Sequence, residues 1–379
     1  MQALHAQAAQ PAARQRSAPI LTTALGDIDS ADQPGRPVLA LDLGGTQIRT
    51  AVVLPDGSVR ARRNERTPLA LGAEAVLAAA AASLRRSVDE HLAAGGLPPT
   101  ALGISAPGPL DPRRGVLIDP PNLGPMLWGL PLADRLADAC GLPAVLERDT
   151  HVAILAERDF GAGSGLDDLV YLTISTGLGG AVISGGHLLS GPDGVAGELG
   201  HLTADMDGPI CSCGGRGHFE RLSSGSGIAR SANEALAAGE DAPELRRIGA
   251  EIAPRPLEAI HVTRAAQAGD RVAAGIIDRA VRAFAASVVS IADVFNPERI
   301  IVGGGVAEAW GEALLQPARE LVAATAFRVA GRRVQIVPAA LGPDVGLIGA
   351  LPLVRMALPM GRVAPQAEHI AAPQPAGAA

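Results

Sequence analysis

Residues 38–53 read VLALDLGGTQIRTAVV, two apolar runs on either side of Gly44-Gly45-Thr46. Each run has the aliphatic content and length of a strand, and the two glycines favour a tight turn between them. The segment therefore predicts a β-hairpin at the start of the fold. Glycines let backbone N–H groups approach an anion, and Asp42 can hold a divalent cation directly or through water. The turn is thus also a candidate phosphate-binding loop.

A second segment repeats this design. Residues 169–184 read LVYLTISTGLGGAVIS, with Thr176, Gly177 and Gly179 between the apolar runs. For either turn alone, simple hairpin geometry explains the glycines equally well. Neither turn has Rossmann or Walker spacing, because each lies between two strands and does not lead into a helix. Two such units in one chain predict two lobes of related construction, with a ligand between them.

The rest of the sequence alternates helical and strand patterns, which is typical of an α/β protein. The predicted helices cover residues 71–94, 131–140, 149–160, 264–295, 308–328 and 344–357. The predicted strands begin near residues 101, 144, 169, 181, 299 and 334. We expect a small lobe over 37–147, joined by the returning helix near 344–357, and a large lobe over 148–343. Residues 1–36 and 359–379 lack periodicity and are predicted to be disordered tails.

Four potential metal ligands lie close together in the sequence: His201, Cys211, Cys213 and His218. Two thiolates and two imidazoles complete a tetrahedral zinc set, and the glycines between them allow the loop over 201–218 to wrap. Ordinary buried thiols with surface histidines are the alternative. If the protein fills all four positions, no coordination site remains for catalysis, so the predicted zinc is structural.

Three acidic residues are candidates for chemistry on a hydroxylated substrate. Asp149 follows the strand at 144–147, and carboxyl ends of strands are where ligands gather in α/β folds. Phosphoryl transfer to a hydroxyl needs a carboxylate that accepts the proton, while Glu198 and Glu220 are suited to accept hydrogen bonds from neighbouring hydroxyls. A helix N-cap explains Asp149 equally well by itself, and the two glutamates are also explained as solvated charges.

Composition excludes several classes of function. The net charge is −7 and no run of Lys or Arg appears, which disfavours a nucleic-acid partner. Three cysteines in 379 residues form no disulfide framework and fit a reducing compartment. The Ala-rich stretch 73–82 runs into Arg85 and Arg86, so it predicts an amphipathic helix and not a membrane span. We therefore expect a cytoplasmic protein that binds neither membrane nor nucleic acid.

Taken together, these segments resemble the ROK family of repressors, open-reading-frame proteins and sugar kinases, and in particular its glucokinases. The resemblance runs from about Val38 to Ala357. It rests on LDLGGT from 41, APGP from 106, PNL from 121, STGLGG from 175, GVAGELGH from 194, CSCGGRGHFE from 211 and IVGGGV from 301. The glutamate-histidine segment leading directly into the cysteine loop is the most specific of these motifs.

The resemblance implies the two-lobed, actin-like ATPase fold of the sugar kinases, closing over a hexose and Mg·ATP. It implies a set of nucleotide-binding residues: Asp42, Gly44, Gly45 and Thr46 in a first phosphate loop, Thr176, Gly177 and Gly179 in a second, and Gly303, Gly304 and Gly305 near the adenosine. It implies that Asp149 is the general base. The sugar-binding residues that it implies are Asn122, Glu198, His201 and Glu220, with His201 also a zinc ligand.

This chain departs from the family pattern at two positions. His218 replaces a cysteine, which changes the ligand set to Cys₂His₂ and leaves it competent for zinc. Arg148 replaces the asparagine that usually precedes the catalytic Asp and contacts the sugar, so Arg148 is the candidate substrate-binding residue at this position. Its guanidinium favours the ionised form of Asp149 if it lies beside that carboxylate, or it points away and pairs with Glu147. Glucose is the leading substrate, and mannose, N-acetylglucosamine, N-acetylmannosamine and fructose stay open.

Two further function classes compete with a kinase. A sugar-responsive repressor is disfavoured, because the 36 residues before the first strand are too few for a winged helix-turn-helix domain. A sugar-binding protein without catalysis is the third possibility, because Arg148 departs from the family pattern directly beside Asp149. The sequence leaves open whether ATP or polyphosphate is the phosphoryl donor. It also leaves open whether the chain forms the homodimer or homotetramer that is usual for such kinases.

Overall fold

The computed structural model describes residues 35–358, so most of the predicted N-terminal tail and all of the C-terminal one lie outside the described residues. The strands are β1 Val38–Leu43, β2 Gln47–Val53, β3 Val59–Arg66, β4 Leu102–Ala106, β5 Leu110–Asp111, β6 Val116–Leu117, β7 Ala144–Arg148, β8 Leu169–Ile174, β9 Leu178–Ser184, β10 His187–Leu188, β11 Arg299–Gly303 and β12 Gln335–Pro338. The helices are α1 Ala73–Ala93, α2 Leu132–Cys140, α3 Asp149–Phe160, α4 Phe219–Ser223, α5 Gly225–Ala237, α6 Pro243–Ile252, α7 Ala259–Gln267, α8 Arg271–Phe295, α9 Gly305–Trp310, α10 Glu312–Thr325, α11 Arg328–Arg333, α12 Val345–Ile348 and α13 Ala350–Ala357. Within 35–358, no helix is both long and apolar enough to cross a membrane.

Two five-stranded sheets share one plan. The first has the order β3-β2-β1-β4-β7 and the second the order β10-β9-β8-β11-β12. In each, the central strand pairs antiparallel with the next strand of its hairpin and parallel with a strand on its other side. The predicted repeat of strand, glycine turn and strand is therefore present, and the two-lobed, actin-like α/β fold is confirmed.

Strand β1 is buried along its whole length because helices cover both faces of the first sheet. Leu39, Leu41 and Leu43 belong to a core that also contains the buried side chains of α1. Val38 and Ala40 face the opposite way and join a core with α12 and α13. Burial on both faces explains why the strand reads as a continuous aliphatic run, without the alternation of a half-exposed strand.

The predicted helix over 264–295 is wrong as one element, since it is divided into α7 and α8. Asp270 caps the second helix: its Oδ1 accepts hydrogen bonds from the backbone N–H groups of Val272 and Ala273, at 3.0 and 3.1 Å. Its Oδ2 accepts from the N–H groups of Glu244 and Leu245, both at 3.1 Å, at the start of α6. One buried carboxylate thus begins two helices, and this arrangement breaks the long helical pattern.

Other elements also differ from the prediction. The helix expected over 308–328 is interrupted at Gly311, whose φ of 50° ends α9 before α10 begins. Strand β3 was not predicted, because four arginines within residues 59–66 hide its strand character. Helices α5 and α6 were not predicted either. Each of these elements lies at the surface or depends on contacts distant in sequence.

Helix α3 lies between the two sheets, and the chain that returns to the first lobe packs against it. A Cβ atom on Gly349, between α12 and α13, would lie 2.1 Å from the carbonyl oxygen of Val152, so only glycine permits this approach. The carboxylate of Glu157 is fully buried and accepts backbone N–H groups from Ala162 at 2.7 Å, Ala340 at 2.9 Å and Leu341 at 3.0 Å. Glu157 therefore fixes the returning segment to α3.

We expect Glu157→Ala to lower the free energy of unfolding by roughly 3 kcal/mol, because three backbone donors lose a charged acceptor. Ala340 and Leu341 share Oε1 while Ala162 uses Oε2, so Glu157→Gln should lose less by keeping one oxygen. Urea unfolding measures both changes. The matched control is Glu251→Ala, whose ion pair with Arg247 is exposed and screened by solvent, so its loss should change stability little. Equal losses in Glu157→Ala and the control would contradict the assignment.

Candidate active site

Asp149 is the first residue of α3, directly after the end of β7. The N-cap position of α3 is Arg148, which makes no side-chain capping bond, so N-capping does not account for the aspartate. Its carboxylate Oδ1 accepts a hydrogen bond from the backbone N–H of the next residue, Thr150, at 2.7 Å. The Asp149 residue is exposed to solvent, whereas Thr150 is buried. A ligand can therefore reach the carboxylate.

Although water reaches it, the Asp149 carboxyl lies with protein on most sides. The resulting loss of hydration and the nearby charge of Asp42 raise the pKa of Asp149 to about 6, while the Thr150 N–H and Arg148 act in the opposite direction. The group is therefore ionised at neutral pH, and its proton affinity is higher than that of an ordinary aspartate. These are the properties that a general base needs.

The first predicted phosphate loop follows Asp42. Strand register sets Asp42 opposite Arg49 on β2 and beside Ser105 on β4. Arg49 donates a hydrogen bond to Asp42 Oδ2, and the Ser105 hydroxyl donates to Oδ1 at 3.0 Å. The carboxylate is thus held in one orientation at the end of the central strand, where it can bind a divalent cation directly or through water.

Close backbone contacts shape the turn of this loop. A Cβ on Gly45 would lie 2.4 Å from the carbonyl oxygen of Asn122, so the turn needs glycine at this position. The Thr67 hydroxyl donates to the carbonyl of Gly44 at 2.7 Å, and the Thr67 N–H donates to the carbonyl of Thr46 at 2.9 Å. The segment that carries the predicted sugar-binding Asn122 therefore lies directly against the first phosphate loop.

The second predicted phosphate loop lies next to Asp149 and Glu220. A Cβ on Gly179 would lie 2.8 Å from the methyl carbon of Thr150, the neighbour of the proposed base. The N–H of Leu178 donates to Glu220 Oε2 at 3.1 Å, and a Cβ on Gly177 would lie 3.0 Å from the same oxygen. The folded chain thus brings together a phosphate loop and two carboxylates that are far apart in sequence.

The third glycine segment meets the second loop from the other side. Gly304 has a φ of 93°, and a Cβ there would lie 2.5 Å from the carbonyl oxygen of Ile174. The N–H groups of Gly225 and Ser226, at the start of α5, donate to the carbonyls of Ser175 and Thr176, at 2.8 and 2.9 Å. The turn of Gly303, Gly304 and Gly305 and the N-terminus of α5 therefore surround the second loop.

Arg148, Glu198 and His201 form a contiguous cluster. The Arg148 guanidinium donates to Glu198 Oε1 and to the carbonyl of Ala196. The other oxygen of Glu198 lies 3.6 Å from His201 Nδ1. The neighbouring imidazole of His201, together with the charge of Arg148, holds the pKa of Glu198 below its usual range. The guanidinium thus points toward Glu198, and Glu147 bonds the Arg148 backbone N–H instead, at 2.9 Å.

The four predicted metal ligands converge. One ligand atom from each of His201, Cys211, Cys213 and His218 lies within 4.8 Å of all the others. Cys213 Sγ is 3.2 Å from His218 Nδ1, and a Cβ on Gly215 would lie 2.2 Å from His218 Cε1, so the loop needs glycine there. Two thiols and two imidazoles at this spacing fit the donor set of a tetrahedral metal site.

Three residues of the site were missed at the sequence level: Arg49 and Ser105, which hold Asp42, and His151, which contacts Arg148. The hairpin could have indicated Arg49, because a short turn over 43–48 sets residue 49 opposite residue 42. Ser105 depends on the parallel register of β4, and His151 on the start of α3. Only the Ser105 contact lacks a local signal, whereas Arg148 and His151 are three residues apart and meet because α3 begins at Asp149.

The family model described as the ROK family matches residues 38–357 of this chain. The chain belongs to the ROK family. Among related ROK proteins, the glucokinase of Thermotoga maritima is 34% identical over 322 residues, which cover 85% of this chain and 98% of the relative. The N-acetylmannosamine kinase of Escherichia fergusonii is 33% identical over 312 residues, covering 82% and 96% respectively. Both matches span almost the whole relative.

A solved structure of a ROK glucokinase supports the same grouping. The Streptomyces griseus enzyme, in complex with glucose and AMPPNP, is 34% identical and superimposes with a TM-score of 0.69. The superposition covers 85% of this chain and all of that structure. The ROK fold described above therefore has the architecture of proteins that hold a sugar and a nucleotide together.

We expect Asp149→Asn to raise the unfolding temperature at pH 7.5 and to have little effect at pH 4. At pH 4, close to the ordinary pKa of 3.8, the carboxyl is protonated in the folded chain and only partly ionised in the unfolded chain, so the raised pKa has little consequence. Above about pH 6, folding carries the cost of an ionised carboxylate held near Asp42. Thermal unfolding at both pH values measures the difference.

The control is Asp278→Asn, at an exposed position of α8 that faces Arg282. It should shift the unfolding temperature little at either pH. If Asp149→Asn changed stability equally at pH 4 and pH 7.5, the cause would lie in packing and not in the charge of the carboxylate.

Proposed function

We propose that this ROK protein is an ATP-dependent hexose kinase, with glucose as the leading substrate and Asp149 as the general base. The observation that carries the proposal is the environment of Asp149: its accessible carboxylate has a pKa of about 6, raised in part by the charge of Asp42 before the first glycine loop, and its neighbour Thr150 contacts Gly179 of the second loop. The glucokinase relatives support the same activity. Neither glycine turn by itself indicates a kinase, since each also connects the two strands of a hairpin.

In this proposal the acceptor sugar is bound by Glu198, His201, Glu220 and Asn122. Their carboxylate, imidazole and amide groups match the ring hydroxyls of a hexose, which both donate and accept hydrogen bonds. Glu220 accepts the Leu178 N–H on one carboxylate oxygen, and within residues 35–358 no donor is bound to the other, which is therefore suited to a sugar hydroxyl. The sugar is thereby oriented with one hydroxyl toward Asp149, and this orientation supplies much of the rate enhancement.

In the reaction, the sugar hydroxyl oxygen forms a bond to the γ-phosphorus of ATP while the bond from that phosphorus to the bridging oxygen breaks. The hydroxyl proton passes to the carboxylate of Asp149, and ADP leaves with the bonding electron pair. Backbone N–H groups of the loops at Gly44 and Gly177 stabilise the charge on the transferred phosphoryl oxygens. Magnesium that accompanies ATP offsets phosphate charge, and Asp42 is the carboxylate placed to hold it.

We propose that the metal bound by His201, Cys211, Cys213 and His218 is a structural zinc ion. The mixed sulfur and nitrogen donor set is the one that zinc prefers, and four protein ligands leave no position for a reactive water. His201 links this centre to the sugar pocket, because its Nδ1 faces Glu198 while its second ring nitrogen is available to the metal. Zinc bound there would thus fix the position of His201, one of the proposed sugar-binding residues.

The second candidate function is an N-acetylmannosamine kinase, which the similarity to the Escherichia fergusonii enzyme favours. The same base and the same phosphate loops serve either substrate. The two functions differ only in the groups that meet the ring substituents, and Arg148 adjoins those groups. A direct comparison of substrates therefore decides between them.

We expect ADP release in a coupled assay with ATP and a panel of glucose, mannose, fructose, N-acetylglucosamine and N-acetylmannosamine, with glucose giving the highest kcat/KM. Asp149→Asn should lower kcat by roughly 100- to 10,000-fold, because the proton acceptor is lost. The Kd for glucose, measured by calorimetry, should change little. Asp278→Asn is the control that keeps full activity. Turnover near normal in Asp149→Asn would show that another group takes the proton.

We expect purified protein to contain about one zinc ion per chain. Cys213→Ser and His218→Ala should lower the zinc content, since each removes one of four ligands. Cys140→Ser should not, because this thiol lies at the end of α2 and outside the cluster. Elemental analysis by mass spectrometry measures the content. Folded protein that neither retains zinc nor takes it up when zinc is added would end the zinc proposal.

A further inference from the structure

Arg148 is almost completely buried: only 3% of its side chain is exposed. Its guanidinium donates to Glu198, to the carbonyl of Ala196 and to His151 Nε2. A guanidinium this deeply buried presents almost no surface to a ligand. Any effect of Arg148 on the sugar must therefore act through the groups that it holds. Among these groups, Glu198 is the one whose side chain is exposed.

Two further buried side chains support Arg148 from beneath. His151 is fully buried, and its Nδ1 lies 3.0 Å from Oε1 of Glu147, which is also buried. Arg148 has only donors, so the His151 Nε2 that faces it must accept. The hydrogen on His151 Nδ1 is donated to Glu147. Glu147 is held in turn by the backbone N–H of Arg148.

We propose that His151 and Glu147 are positioning residues that fix Arg148, and that Arg148 thereby sets the orientation of the Glu198 carboxylate and the sugar preference of the pocket. This inference rests on the proposed function for the identity of the ligand. The chain of contacts runs from Glu147 through His151 and Arg148 to Glu198, and every side chain before Glu198 is buried.

The geometry explains why Glu198 needs such support. One of its oxygens is bound by Arg148 and the other faces His201, so the carboxylate is held between two cationic or donor groups. Arg148 also holds the carbonyl of Ala196, two residues before Glu198, which fixes the backbone of the same segment. Loss of the guanidinium frees both the carboxylate and its backbone, and a hydroxyl then binds a mobile acceptor.

The central test is a set of His151 and Arg148 variants. His151→Phe fills the space but cannot accept from Arg148, whereas His151→Gln offers an amide oxygen that can. We expect His151→Phe to raise the KM for glucose on the order of tenfold, with kcat and the KM for ATP nearly unchanged, and His151→Gln to restore much of the loss. Arg148→Asn should change the ranking of the hexoses in the panel.

A double variant separates positioning from a general packing defect. If His151 acts only through Arg148, then adding His151→Phe to Arg148→Asn should raise the KM for glucose no further, because the two residues act as one unit. If the KM for glucose in the double variant instead rose by the product of the two single-variant effects, the proposal would be overturned. So would equal losses in His151→Phe and His151→Gln, since a structural cavity does not depend on an acceptor atom.

The Kd for glucose without ATP, measured by calorimetry for the same variants, distinguishes this inference from the proposed function. Weaker glucose binding in His151→Phe supports the positioning role even if the unaltered protein shows no turnover, and that absence would overturn only the kinase activity. Equal Kd values in unaltered protein and His151→Phe would overturn the positioning role alone. No binding of any hexose to the unaltered protein would overturn both.

Discussion

The active site depends on where α3 begins. This helix starts directly after the last residue of a strand of the first sheet and packs against strands of the second, so its N-terminus lies where the two lobes meet. The buried Glu157 accepts three backbone N–H groups and fixes the returning segment at Ala340 and Leu341 to the same helix. Gly349 allows that segment to touch the backbone of α3. Because α3 is held from both sides, Asp149 has one position relative to both phosphate loops.

The charges around Asp149 act on its pKa in opposite directions. Burial and Asp42 raise the proton affinity of Asp149, while Arg148 lowers it. Arg49 occupies one oxygen of Asp42, and Glu198 engages Arg148, so each cation is committed to a carboxylate other than the proposed base. Asp149 therefore keeps the intermediate pKa that suits proton transfer near neutral pH. A direct ion pair to Asp149 would have removed that property.

The fold was predicted where the signal was local. The hairpin β1-β2, its repeat β8-β9 and the helix α3 follow from short aliphatic runs and glycine turns, and the structure contains all three. The division of the helix over 264–295 was not predictable, because Asp270 caps α8 while it also binds the start of α6. Strand β3 was missed for a different reason. Its arginines face solvent and helix α1, and the segment is a strand only because it pairs with β2.

The sequence by itself indicated which residue types could form the site: two cysteines and two histidines within 201–218, two glycine turns between strands, and acidic residues near them, because residue types and local patterns are readable without the fold. Only the tertiary structure decided what each group touches. That Arg148 holds Glu198 and rests on His151, and that Asp42 is held by Arg49 and Ser105, depends on strand register and on the packing of α3. Contacts between residues distant in sequence arise from that packing, and no spacing within a single segment encodes them.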